Sequence, residues 1–289
     1  MHKATLIGFS AILLWGALAL FTAATAGIPP FQLLAMTFAV AFILGLAQWA
    51  RAGQNPFHRL ALPVPVWLLG VGGLFGYHFF YFMALKNAPV VDASLIAYLW
   101  PLLIVVFSAL LPGETLRWHH IAGAVMGLAG SVVLIIRDSG LAFDSQYSVG
   151  YLAAAICALT WSSYSVLSRR FGHIPTDAVG GFCAATAILA TICHFMFEVT
   201  VIPSGTGQWL AIVALGLGPV GLAFFTWDYG VKKGNIRVLG AASYCAPLLS
   251  TLLLVAFGET ELTWRISIAC LLIVAGAVLA AKDMFRRQI

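Results

Sequence analysis

Groups able to do chemistry are few in this sequence, and most lie inside long apolar stretches. His78 is the one histidine near the centre of such a stretch, between Tyr77 and Tyr81. The two tyrosines are four apart and so share one helix face. Tyr98, Trp100 and Pro101 stand together in a second stretch, and Ser243, Tyr244 and Pro247 in a third. Trp15 and Trp161 sit mid-stretch, where each indole N–H needs a neighbouring helix or a wet cavity. A proline inside a helix removes one N–H and clashes with the carbonyl four residues back, here those of Ala97 and Ser243. In hydrocarbon a freed carbonyl persists only where protein or water satisfies it. Such carbonyls and aromatic faces can meet an ammonium, while the rings pack against an apolar side chain. The chemistry on offer is recognition of a small zwitterion or neutral amphiphile.

No catalytic constellation accompanies these groups. There is no G-x-x-x-x-G-K-[ST] or H-E-x-x-H run and no His/Cys cluster at metal spacing. The expectation is a non-enzyme with no metal and no other cofactor. No Lys or Arg lies mid-stretch, which disfavours phosphate-bearing substrates. An ionisable group inside a membrane rarely lacks a partner or a task. His78 therefore reads either as a neutral packing residue or as a substrate or proton site. Asp228, just before Lys232 and Lys233, either pairs with a lysine or lines the mouth of a pathway. His78 and Asp228 are the candidates for proton coupling.

Apolar helices must hold these residues at depth. The 289 residues are 62% hydrophobic and 9% charged, too apolar for a soluble domain. Runs long enough to cross a bilayer follow one another at 5–26, 31–50, 66–86, 90–111, 118–136, 148–169, 177–198, 208–231, 236–257 and 264–283. All five cysteines fall inside these spans and read as small core residues, not disulfides. The net charge of +5 is a topology signal and not a nucleic-acid one. With spans alternating, all the Lys and Arg except Lys86, Arg137 and Arg265 fall on the N-terminal side. The positive-inside rule then puts both termini in the cytoplasm.

The first span superficially fits a cleaved signal peptide, with Lys3 ahead and Ala24-Thr25-Ala26 behind. Its recurrence inside the chain argues against that. At a shift of 146 residues, Trp15 meets Trp161, Pro29 meets Pro175, Tyr98 meets Tyr244, and Pro101 meets Pro247. Trp118 meets Trp264 and Gly130 meets Gly276 at the same shift. The repeat units are expected at 1–140 and 147–289, joined by a short polar linker. Five spans per unit is an odd number, so the second unit enters the membrane inverted. Two proline-broken helices at matching positions of inverted repeats point to a binding site between them, near mid-bilayer.

Other features are placed less sharply. Glycines crowd the third span from Gly70 to Gly76 and the eighth from Gly216 to Gly221, fitting close packing or a hinge. Trp49 and Trp118 are expected in the interfacial belts, with His119 and His120 solvated beside the latter. The pair Gly123 and Gly127, with Gly276 and Ala280, could hold the halves together or form a dimer.

The opening His2-Lys3-Ala4-Thr5-Leu6-Ile7-Gly8 with Leu14-Trp15-Gly16 resembles the drug/metabolite transporter superfamily. So do Tyr98-Leu99-Trp100-Pro101, Gly234-Asn235, and Ala242-Ser243-Tyr244 with Pro247, giving two EamA-type repeats over essentially the whole chain. That resemblance implies an all-α membrane protein of ten transmembrane helices, two inverted five-helix repeats around a central cavity. It implies a bacterial inner-membrane secondary transporter that exports aromatic and other hydrophobic amino acids by alternating access. A multidrug or other small-metabolite exporter is the alternative. Carried over by position, Trp15, Tyr77, His78, Tyr81, Tyr98, Trp100, Trp161, Ser243 and Tyr244 lie near the substrate, and Pro101 and Pro247 break helices there. Gly16 departs from the serine common at its position. The expected partners are a small zwitterionic or amphiphilic substrate and the lipid bilayer, with no nucleic acid. A monomer is expected, with a dimer as the alternative.

Overall fold

The computed structural model describes residues 2–136, 144–258 and 261–283, and every regular element among them is helical. Ten helices follow the ten expected spans to within a few residues. They are α1 (His2–Ala23), α2 (Pro30–Arg51), α3 (Val64–Asn87), α4 (Val90–Leu110), α5 (Trp118–Ile135), α6 (Ser145–Phe171), α7 (Thr176–Phe197), α8 (Thr206–Lys233), α9 (Ile236–Ala256) and α10 (Trp264–Ala280). The first nine are long and apolar enough to cross a bilayer. At 17 residues, α10 still reaches about 25 Å, close to the hydrocarbon thickness. Large apolar side chains such as Leu68, Ile188, Leu210 and Leu271 are well exposed, as lipid-facing positions require. The chain is a multi-span membrane protein. Most of the linker expected at 137–147, and Arg137, Arg286 and Arg287 of the charge pattern, lie outside the described residues.

Antiparallel pairs build the bundle, and small residues set their spacing. A Cβ on Gly8 of α1 would sit 2.9 Å from Gly230 Cα of α8, so these backbones touch near the end that carries His2, here side one. Gly45 of α2 meets Gly180 of α7 in the same way, and Gly123 of α5 meets Gly276 of α10. The α5–α10 glycine face is thus used within the chain. Opposite side one, on side two, the Glu198 carboxylate after α7 accepts from the N–H groups of Phe31 (2.9 Å) and Gln32 (3.0 Å). Those are orphan donors of the first turn of α2, where negative charge is favoured.

Both prolines interrupt their helices as expected. In α4 the helix stops at Ala97 and resumes at Trp100; in α9 it stops at Ala242 and resumes at Cys245. The glycine runs also depart from regular helix. Gly72–Gly76 of α3 and Gly218–Leu222 of α8 are π-helical turns, 146 residues apart, and such turns gather at functional sites.

Three interfacial expectations are corrected. Trp49 is fully buried, its ring on Phe42 at 6.3 Å and close to Gly180, because the missing Cβ there leaves a slot. Trp118 is exposed, as expected. His119 and His120 are buried and not solvated: Asp283 Oδ2 lies 3.2 Å from His119 Nε2, and its Oδ1 takes Arg117 at 3.2 Å. The carboxylate after α10 stands beside both rings where water was expected, 4.0 Å from His120 Nε2.

Candidate functional site

The break in α4 and the two π turns accompany a cluster of aromatic residues at mid-depth. Trp15 of α1, Trp100 of α4, Trp161 of α6 and Trp227 of α8 form a knot in which every pair of rings is in contact, with centroids 5.0 to 6.3 Å apart. Most meet edge to face or tilted, as ring quadrupoles prefer. The break before Pro101 places Trp100 at the start of a new helical segment, where the proline is tolerated. The Trp15 indole donates to the Pro219 carbonyl in the α8 π turn at 3.1 Å, and Trp227 donates to Ser165 Oγ at 3.1 Å. The demand for an indole partner is met by irregular backbone in one case and by a hydroxyl in the other.

A wall of tyrosines continues from the knot toward side two. Tyr77 packs on Trp161 at 5.5 Å and stacks on Tyr81 at 6.1 Å and 7°. Tyr98 stands beside the α4 break and completes the three phenols of this wall. Trp15, Tyr77, His78, Tyr81 and Tyr98 are only half-buried, whereas Trp100, Trp161 and Trp227 are buried. His78 Nδ1 donates to the Leu74 carbonyl at 2.7 Å, which leaves Nε2 as an acceptor in the neutral ring. The imidazole is held among Tyr77, Phe38 and Phe224, with centroids at 5.2, 5.4 and 6.2 Å.

Seven of the nine expected residues are thereby brought together, and two are not. Tyr244 is fully buried against Gly127 of α5, in a cluster with Val105, Ala124 and Ile273. Its hydroxyl accepts from Leu102 N at 3.2 Å, one of the amides near the α4 break. Ser243 is fully buried, its Oγ donating to Leu239 O at 2.8 Å. The Ser243 carbonyl, expected to be free for an ammonium, accepts from Ala246 N at 3.0 Å instead. Both residues seal the break in α9 and its packing on α5.

Trp227 and Phe224 are additions that the residue patterns alone did not single out. The signal was present: the 146-residue shift pairs Tyr81 with Trp227 and His78 with Phe224. Below the knot, toward side one, the protein is tight. A cavity of about 10 Å³ beside Tyr164, Ser168, Asp228 and Lys232 holds at most one water. Asp228 is buried there and paired, at 2.9 Å from Lys232 Nζ and accepting from Thr176 Oγ1 at 2.8 Å. The arrangement can hold a flat apolar group against indoles and phenols, with little open space between it and side one.

Comparison with known proteins agrees with this architecture. The EamA-like transporter family model matches residues 2–136 and again residues 148–282. The chain is 58% identical over 279 residues to the aromatic amino acid exporter YddG of Ancylobacter novellus, covering 96% of each. It is 23% identical to the aromatic amino acid exporter YddG of Escherichia coli over 96% of each chain. It is 29% identical to the pseudopaline exporter CntI of Pseudomonas aeruginosa over 75% of each. A crystal structure 56% identical in sequence superposes over 100% of both chains with a TM-score of 0.95.

Proposed function

We propose a cargo and a direction for this chain, which belongs to the EamA-like transporter family. It is a secondary transporter that exports aromatic and other hydrophobic amino acids by alternating access between two inverted repeats, 1–140 and 147–289. The observation that carries this reading is the aromatic site itself: four indoles and three phenols from both repeats, at mid-depth, with the half-buried phenols on the side-two flank of the indoles. The 58% identical relative is named an aromatic amino acid exporter, which supports the same cargo. An aromatic side chain of the cargo packs on the half-buried Tyr77 and Tyr81, which Trp161 backs, and its ammonium meets the Tyr98 phenol or the Ala97 carbonyl beside the α4 break. The four-tryptophan knot and the tight packing beneath it close the path to side one, so this state gives cargo access only from side two. Side one is the cytoplasm by its excess of Lys and Arg, and the membrane is the bacterial inner membrane.

Of the two candidates for proton coupling, Asp228 is held in an ion pair and serves packing, and His78 is the one within the aromatic site. The glycine face of α5 is covered by α10 and Tyr244, so the protein works as a monomer. No bond-making chemistry is assigned to it.

Purified protein in vesicles tests the cargo directly. Uptake of labelled phenylalanine should saturate, be displaced by tryptophan and other hydrophobic amino acids, and resist glycine, aspartate and a quaternary drug cation. Trp161→Ala should lower apparent affinity by about tenfold or more, as expected for losing one buried aromatic contact. Transport of the drug cation without amino acids would instead favour a multidrug exporter.

A further inference from the structure

The side-one face carries a charge cluster that the cargo site does not explain. Glu114 stands in the link between α4 and α5, just after Gly113, whose φ of +77° makes the turn that presents it. Each of its carboxylate oxygens has its own arginine. Arg169, from the end of α6, places Nη2 2.9 Å from Oε1, and Arg237, from the start of α9, places Nη2 3.0 Å from Oε2. Arg169 also donates through Nη1 to the carbonyls of Gly234 (2.9 Å) and Val231 (3.3 Å), at the last turn of α8. Arg237 donates back to the Thr115 carbonyl. All three side chains are mostly withdrawn from water, Glu114 at 13%, Arg237 at 15% and Arg169 at 22% exposure.

One carboxylate therefore ties the link of the first repeat to the ends of three helices of the second. It sits where α4 must part from α6, α8 and α9 if side one is to open. We propose that Glu114, Arg169 and Arg237 form an ionic latch that holds side one closed and must break for cargo to enter there. This rests on the alternating-access reading above. Two guanidiniums on one carboxylate suit a latch: each end is polar enough to be solvated once parted, and the closed geometry is fixed because each guanidinium also binds a backbone carbonyl. The buried Asp228–Lys232 pair lies four residues apart on one helix and moves as a unit, so it cannot serve this purpose.

Amide hydrogen exchange on the full-length protein in nanodiscs, without cargo, tests the latch. Glu114→Gln should speed exchange at the side-one ends, residues 168–172 and 231–237, on the order of tenfold. Residues 194–201 on side two should be unchanged. Glu114→Asp, which keeps the charge, should recover part of the protection, and so should the swap of Glu114→Arg with Arg237→Glu. Unchanged exchange in Glu114→Gln, or a rise of equal size on both faces, would overturn the latch. Because this readout needs no cargo, a chain that moved no amino acid would sink the proposed cargo and leave the latch standing. Normal flux with unaltered exchange in the variant would sink the latch alone.

Discussion

Asp228 shows how a buried charge in this membrane protein is made tolerable. Its carboxylate has Lys232 one turn along the same helix and the Thr176 hydroxyl across from it, and both charged side chains are almost wholly withdrawn from solvent. Desolvating both charges is costly, and the pair is weak evidence for stability, but breaking it strands a buried ammonium. Asp228→Asn should therefore destabilise the protein by about 3 kcal/mol or more, read as a fall in the detergent-solubilised unfolding temperature. Adding Lys232→Met to that variant should restore most of the loss; a double variant no better than the single would refute the pairing account. From sequence, pairing with a lysine is the favoured reading of Asp228 over a pathway role, whereas the Thr176 hydroxyl, 52 residues away, is not legible. Trp227 was legible only through the repeat shift, since its place near the end of the span and next to charged residues resembles an interfacial tryptophan. Tyr244 was misplaced for a geometric reason. The α4 break occupies Tyr98 and Leu99, whereas the α9 break occupies Ser243 and Tyr244, one position earlier in the repeat. One residue is about 100° of helix rotation, enough to turn an equivalent side chain from the chamber to the α5 interface.

The elements themselves were largely written in the sequence, because hydropathy fixes where a helix can cross lipid and proline fixes where it breaks. Helix limits came within a few residues, and both proline interruptions appeared where the lost N–H required them. The π turns were visible only as glycine runs: composition permits an irregular turn but does not distinguish it from close packing. What pattern could not supply is which helices pair. That is decided by small-residue faces meeting in space, as where Gly8 of α1 lies against Gly230 of α8. At this contact the side-one halves of the two helices are held backbone to backbone, under the tryptophan knot. Gly230→Val should force them apart, since the new side chain has no room against the α1 backbone. The expected outcome is faster cysteine labelling of Ser168→Cys, buried beneath the knot in the native protein, with folding retained and transport lost. If labelling stayed at the native rate while transport was intact, the glycine contact would have no part in closing side one.

At the scale of the whole molecule, the inverted repeat and the charge distribution make one joint statement about orientation. Five helices per unit reverse the second unit in the membrane, so a single rotation of the whole chain would carry both termini to the opposite side. The choice between the two orientations falls to the basic residues near the helix ends. Arg51, Arg59, Arg169, Arg170, Lys232, Lys233 and Arg237 all lie at helix ends or in a link on the face that holds His2. Several are also engaged by acidic partners there, Arg59 with Asp177 at 3.3 Å among them, so structural roles and topology share the same side chains. The two contributions separate by experiment. Ala52, after α2, and Ser204, between α7 and α8, are both exposed but lie on opposite faces. In intact cells a membrane-impermeant maleimide should label Ser204→Cys and spare Ala52→Cys, and permeabilisation should make both react. The native cysteines fall inside helices, two of them buried, which keeps their background low. The reverse labelling pattern would place side one outside, turning the direction of export around with it, while leaving the helix pairing and the aromatic site as they are.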